Sequence, residues 1–126
     1  MKIAITSQGD SLEAAMDSRF GRCAYFVLVD SETGETEILA NPAMDAAGGA
    51  GPLAAQTIAD KGVQVVITGN VGPNATQTLK AANIAIYQAT SGTVRENLAK
   101  YKNGELEQLS DSSVPDHFGL RQGKKS

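Results

Sequence analysis

The chain has little of what metal and catalytic sites are usually built from. Cys23 is its only cysteine and His117 its only histidine. One cysteine cannot close an intrachain disulfide, and one of each cannot fill a four-ligand zinc site. A single histidine close to the C-terminus also leaves no Ser-His-Asp set to read. Tryptophan is absent, so no indole is available to stack on a flavin. No run approaches the ~18 consecutive apolar residues of a membrane-spanning helix. Positive charge is not in excess: 11 Lys and Arg against 14 Asp and Glu give a formal net charge of −3. That balance argues against a grip on nucleic acid through broad positive charge. The opening strand-like run "KIAIT" carries no carboxylate, which sets aside a nuclease built on two metal ions. The expectation is a protein that is not an enzyme and has neither nucleic acid nor membrane as partner. Met1 leads into an alternating run rather than an apolar leader, so cytoplasmic localisation is expected.

What the chain does have is glycine, 13 in 126 residues, and a regular alternation of element types. "KIAIT" (residues 2–6) and "YFVLVD" (25–30) read as strands, and "TEILA" (36–40) returns after the turn residues "SETGE" as a hairpin partner. "DSLEAAMDS" (10–18) suggests a short helical turn. Residues 52–61 read as a helix stopped by Gly62, and "VQVVITG" (63–69) as a strand. A second helix at 73–82 would open at Asn74 with Gln77 in the reciprocal position, followed by the strand "IAIYQA" (84–89). In "TVRENLAKY" (93–101), Thr93 and Glu96 form a capping box, and Val94, Leu98 and Tyr101 share a face. Strand–helix alternation in the second half calls for parallel strands with right-handed crossovers, and the hairpin adds an antiparallel member. The fold expected is a three-layer α/β domain over residues 1–102, with a mixed five-stranded sheet and about three helices. Residues 103–126 are polar and read as a frayed or disordered tail.

Three glycine-bearing loops precede helices: "GGAGP" (48–52), "TGNVGPN" (68–74) and "TSGT" (90–93). Loops that follow parallel strands gather at one edge of an open sheet, and free N–H groups at a helix start attract negative charge. Each loop alone reads more readily as a plain turn than as a site, and three along one edge shift the balance toward an anion pocket. None carries the Gly-Lys-Ser/Thr of a Walker loop or the GxGxxG of a dinucleotide site. In "DSRFGRC" (17–23), Arg19 and Arg22 flank a Phe-Gly turn. They can aim their guanidinium groups at one anion, or pair with Asp17 and other carboxylates. Arg95 could join the same pocket or face water. Cys23 reads as a small buried hydrophobe unless the arginines favour its thiolate and so a contact to a soft metal. Met16 and Met44 are candidate thioether ligands or gap fillers, and His117 reads as a solvated residue of the tail.

"SRFGRCAYFVLVD", "NPAMDAAGGAG", "VVITGNVGPNA" and "SGTVRE" resemble, in order and in normal spacing, the dinitrogenase iron–molybdenum cofactor biosynthesis family. That family includes NifX, NafY and the C-terminal part of NifB. The likeness covers Met1 to about Lys102 and is greatest to the orange protein branch. It implies a ribonuclease H-like fold, with strand order 3-2-1-4-5 and strand 2 antiparallel. It also implies a carrier or scaffold for a molybdenum–copper sulfide cluster or an iron–molybdenum–sulfur cofactor precursor. Many relatives have histidine where Arg19 stands, a departure that replaces a metal-ligating imidazole by a fixed cation and suits an anionic guest. Carried onto this sequence, the resemblance points to Arg19, Phe20, Gly21, Arg22 and Cys23. It points further to Gly48, Gly49, Gly51, Gly69, Asn70, Gly72, Gly92 and Thr93. A cluster-loading ATPase or a cofactor-recipient protein would be the partner. Two other readings stay open: a flavodoxin-like flavin or nucleotide binder using "SQGDS" (7–11), and a pure protein-interaction module.

Overall fold

Lys2–Ser7 (β1) and Tyr25–Asp30 (β2) are rich in β-branched and aromatic side chains and pair antiparallel, Lys2 opposite Asp30 and Ser7 opposite Tyr25. Both are covered along nearly their whole length, as strands with a layer on each face must be. The computed structural model describes residues 1–109. The chain turns at Gly34, whose φ is +80°, and comes back as Thr36–Ala40 (β3), antiparallel to β2. Then follow Ala50–Asp60 (α1), Val65–Thr68 (β4), Pro73–Ala81 (α2), Ala85–Gln88 (β5), Val94–Lys102 (α3) and Gln108–Leu109 (β6). β4 lies parallel to β1 and β5 parallel to β4, so the sheet order is β3-β2-β1-β4-β5-β6.

The expected 3-2-1-4-5 order with an antiparallel second strand is present. A sixth strand is added: β6 pairs antiparallel with β5, Ile86 opposite Leu109. The sequence reading had put these residues in the tail. Two leucines in a polar stretch give no readable period, yet Leu106 and Leu109 enter opposite cores of the sheet. Residues 110–126, with His117, lie outside the described residues.

Alternation along the strands divides the interior. Ala4, Phe26, Leu28, Val66 and Ile86 face α1 and α2, which contribute Ala54, Ile58, Ala75 and Leu79. Ile3, Ile5, Val27, Val65 and Ile67 face the other way, toward Val94 and Leu98 of α3. Two helices therefore cover one face and one covers the other, giving three layers.

Local readings need three corrections. α1 starts at Ala50, and Pro52 sits within its first turn, where a missing N–H costs no hydrogen bond. Residues 10–18 make no helix. Their backbone instead bonds outward, Gln8 N to Ala15 O, Met16 N to Gly92 O and Val94 N to Ala14 O, each 2.9 Å. Tertiary pairing with the start of α3 outweighs helix propensity there. α2 is capped by Gly72 with no side-chain bond, so the Asn74–Gln77 pairing does not form. The Thr93–Glu96 box does form.

Candidate functional site

β1, β4 and β5 are parallel, so their C-terminal ends and the loops that follow share one edge of the sheet. The loop after β1 is anchored first by Asp17. Its N–H donates to Thr6 O at 3.0 Å, and Thr6 Oγ1 donates to Asp17 O at 2.6 Å. The Asp17 side chain is 4% exposed and accepts from Arg19 three times: from N at 3.0 Å, Nε at 3.1 Å and Nη2 at 3.1 Å. That bidentate pairing raises the already high pKa of the Arg19 guanidinium. Arg19 is thus committed to Asp17, and the anticipated convergence of Arg19 and Arg22 on one anion does not form. Phe20, expected at the site, is core: its ring is buried against Phe26 with centroids 5.7 Å apart.

Gly69 and Asn70 join this loop to the end of β4. A Cβ on Gly69 would lie 2.7 Å from Ser18 Cα, so only glycine permits the approach. Asn70 receives the Phe20 N–H at its carbonyl, 3.1 Å. Gly21 then rests on the first turn of α1, where a Cβ would lie 2.9 Å from Gly51 N. Gly51 in turn faces α2, its own Cβ position 3.0 Å from Ala75 Cβ. Small residues at three levels thus bring one loop and two helix starts into contact.

The product is an open groove of about 320 Å³, lined by Gly21 and Arg22, by residues 49–52 and by residues 72–75. Both helices begin at a glycine, both lack a side-chain cap, and neither has an acidic residue in its first turn. Their leading N–H groups have no intrahelical acceptor, and the positive ends of two macrodipoles meet here. Arg22 adds a full charge and stays in place because its Nη1 donates to Met44 O at 3.0 Å and Ala46 O at 2.7 Å. Among the described residues, no carboxylate lines this groove. A larger cleft, about 480 Å³, lies by the β2–β3 hairpin, but Asp30, Glu35 and Glu37 outnumber Lys2 in its lining and would repel an anion.

Other candidates fall elsewhere. Cys23 is fully buried and its thiol donates to Phe20 O at 3.4 Å. Burial, helped by the charge of Asp17, pushes its pKa up to about 12, the reverse of the activation expected from two nearby arginines. Met16 packs against the core on the α3 face, whereas Met44 is exposed beside Arg22, so the two thioethers sit on different layers and form no common pair. Gly92, Thr93 and Arg95 belong to the start of α3 and do not line the groove. Gly92, with φ +132°, comes immediately before the Thr93–Glu96 box, and Arg95 Nε bonds Glu13 Oε2 at 2.7 Å. The "SQGDS" loop does not open a helix and closes on itself, Ser7 Oγ donating to Gly9 O at 2.7 Å, which removes the basis for a phosphate loop. Among the described residues, no three or more His, Cys, Asp or Glu side chains gather to hold a metal ion, and no helix is long and apolar enough to cross a membrane.

Sequence reasoning missed Ala50, Pro52, Asn74 and Ala75. The signal available was position: each lies in the first turn after a glycine that caps a helix.

Comparison with known proteins gives a consistent picture. The family described as "Dinitrogenase iron-molybdenum cofactor" matches residues 1–104. An uncharacterised protein of Methanocaldococcus jannaschii is 34% identical over 112 residues, covering 86% of this chain and 92% of that protein. The apo orange protein from Desulfovibrio gigas superposes with a TM-score of 0.86 at 38% identity, over 90% of this chain and 96% of that one. A Thermotoga protein described as NifB-type and of the DUF35 family gives 0.81 at 38% identity, over 90% of this chain and 97% of that one.

Proposed function

We propose, from the premise that this chain belongs to the dinitrogenase iron–molybdenum cofactor family, that it carries an anionic metal–sulfide cluster in the groove between the starts of α1 and α2. The family and the orange-protein likeness support a cofactor-binding or cofactor-biosynthesis scaffold. The cargo read here is a molybdenum–copper sulfide cluster or an iron–molybdenum–sulfur precursor, held in the cytoplasm for a loading ATPase or a recipient protein. One observation carries the reading: two uncapped helix starts and Arg22 converge where, among the described residues, no carboxylate intrudes.

The chemistry of the donors fits such a guest. Sulfide-rich clusters bring their own ligands and a net negative charge, so their host needs hydrogen-bond donors and positive potential rather than thiolates. Backbone N–H groups at residues 49–51 and at Asn74 would bind sulfur edges, and Arg22 would neutralise charge. Cys23, protonated and out of contact with solvent, keeps the loop packed and is not counted among the ligands. The open side of the groove leaves part of the guest accessible for transfer.

The test is titration of the purified protein with tetrathiomolybdate and a copper salt, followed by visible absorption. A stoichiometric chromophore is expected. Its loss by about 10-fold in affinity in Arg22→Ala, with Arg19→Ala within about 2-fold of wild type, supports the groove. Uptake unchanged in Arg22→Ala, or absent in wild type, overturns the assignment.

A further inference from the structure

We infer that Asn41 is the positioning residue that holds the Gly21–Arg22 wall of the groove over α1; the inference rests on the reading of that groove as the binding site. Asn41 lies just beyond β3, is 6% exposed, and uses both ends of its amide. Nδ2 donates to Gly21 O at 3.1 Å and to Cys23 O at 2.9 Å, bracketing Arg22 on the chain. Oδ1 accepts from Ala43 N at 2.9 Å, and the Asn41 backbone N–H donates to Ala24 O at 3.0 Å. The chain then runs on to Met44 and Ala46, whose carbonyls hold the Arg22 guanidinium. The two segments are therefore laced twice, once by Asn41 reaching back and once by Arg22 reaching forward.

The consequence is geometric. The carbonyls of Gly21 and Cys23 are fixed from behind, so the Gly21 backbone is kept at contact distance from Gly51 N in the first turn of α1. Only an amide does this work at Asn41: it must donate twice on one side and accept once on the other. An aspartate keeps the shape and the acceptor but turns both donations into oxygen–oxygen contacts. Alanine leaves buried carbonyls without a partner. Asn41 touches no groove volume itself, and its effect passes through Gly21 and Arg22.

The second buried asparagine supplies the control. Asn97 likewise ties a loop, donating to Thr90 O at 2.9 Å and Thr93 O at 3.0 Å and accepting from Thr90 N at 2.8 Å, but on the α3 side. The experiment compares Asn41→Asp, Asn41→Ala and Asn97→Ala by thermal midpoint, by amide and Arg22 Nε chemical shifts of the metal-free protein, and by tetrathiomolybdate–copper titration. Both Asn41 variants should move the Gly21, Arg22 and Gly51 signals and weaken uptake about 10-fold. Asn97→Ala, with a comparable drop in midpoint, should leave those signals in place and uptake within 2-fold. If Asn41→Asp or Asn41→Ala folds with the Gly21, Arg22 and Gly51 signals unmoved, the positioning role is wrong, whatever the groove binds. If neither variant folds, uptake and shifts are read in Asn41→Ser, whose single hydroxyl cannot donate to both Gly21 O and Cys23 O, and unmoved signals there overturn the role too. Moved signals with no uptake even in wild type leave Asn41 as the positioning residue and overturn the cluster reading instead.

Discussion

The starts of α1 and α2 and the start of α3 lie at the same edge of the sheet, yet they are finished in opposite ways. α3 opens on Thr93 with a complete capping box, an acidic residue in the first turn, and Arg95 paired to Glu13. Its donors are satisfied by the Thr93–Glu96 box and by the carbonyls of Leu12 and Ala14, and Glu96 lies at the positive end of its dipole. α1 and α2 open on Gly49 and Gly72 with no cap, no acid, and a proline early in the first turn. A protein optimised only for stability would cap all three, because each cap contributes about 1 kcal/mol. Leaving two open at one groove forgoes that stability and leaves the donors that the proposed function assigns to an anion. The contrast teaches which loops to read as a site: those whose helix is left unfinished.

Four experiments break or sharpen that contrast. The largest effect is expected from finishing the open helices with charge. Pro52→Glu combined with Asn74→Glu should lower thiomolybdate–copper uptake on the order of 100-fold, about 1.4 kcal/mol per carboxylate, while each new charge adds about 0.5 kcal/mol of helix stability. Binding falling while the thermal midpoint holds is the signature; unchanged binding would mean the guest sits elsewhere. Next comes Gly21→Ala, which places a methyl against the Gly51 backbone. Denaturant titration should show a loss of about 2 kcal/mol, whereas Gly48→Ala, with open space around it, should stay within about 0.5 kcal/mol.

The third concerns pH and Cys23. Its folded pKa of about 12 lies above the ordinary thiol value of 9.0, so the unfolded chain gives up its proton first as pH rises. Stability from this group is complete below pH 9 and is lost between pH 9 and 12, at up to about 1.4 kcal/mol per pH unit. The stability difference between wild type and Cys23→Ala should shrink across that window; a flat difference would mean the thiol already ionises in the fold. The smallest effect is Thr93→Ala, which removes the α3 cap. It should cost about 1 kcal/mol and leave uptake within about 2-fold. Loss of uptake there would erase the distinction between the two sides.

The glycine loops at residues 48–51 and 69–72 were legible as lying at one edge of the sheet, because strand–helix alternation forces them there, and of their predicted residues Gly49, Gly51 and Gly72 line the groove while Gly48, Gly69 and Asn70 do not. The arginine pair was legible only as two alternatives, of which pairing with Asp17 holds for Arg19. Arg19 and Arg22 have the same type and near-equal spacing, but one meets buried Asp17 and the other the carbonyls of Met44 and Ala46. Spacing alone contains no account of which partner lies within reach. Cys23 is the small buried hydrophobe that its residue type suggests, and its thiolate alternative fails because its surroundings in space are apolar and shared with Asp17, whatever its cationic chain neighbours. Residues 108–109 became a strand only because the exposed edge of β5 was there to pair with.

Composition and periodicity by themselves determined the α/β class, the succession of strands and helices from β1 to α3 and the capped start of α3. These follow from local preference and from residue counts, which need no knowledge of what packs where. Tertiary structure alone decided that Gly21, Gly51 and Ala75 touch, that Arg22 rather than Arg19 serves the groove, and that Cys23 stays protonated. Those outcomes depend on distances between segments far apart in the chain, and such distances are set only when the two layers close on the sheet.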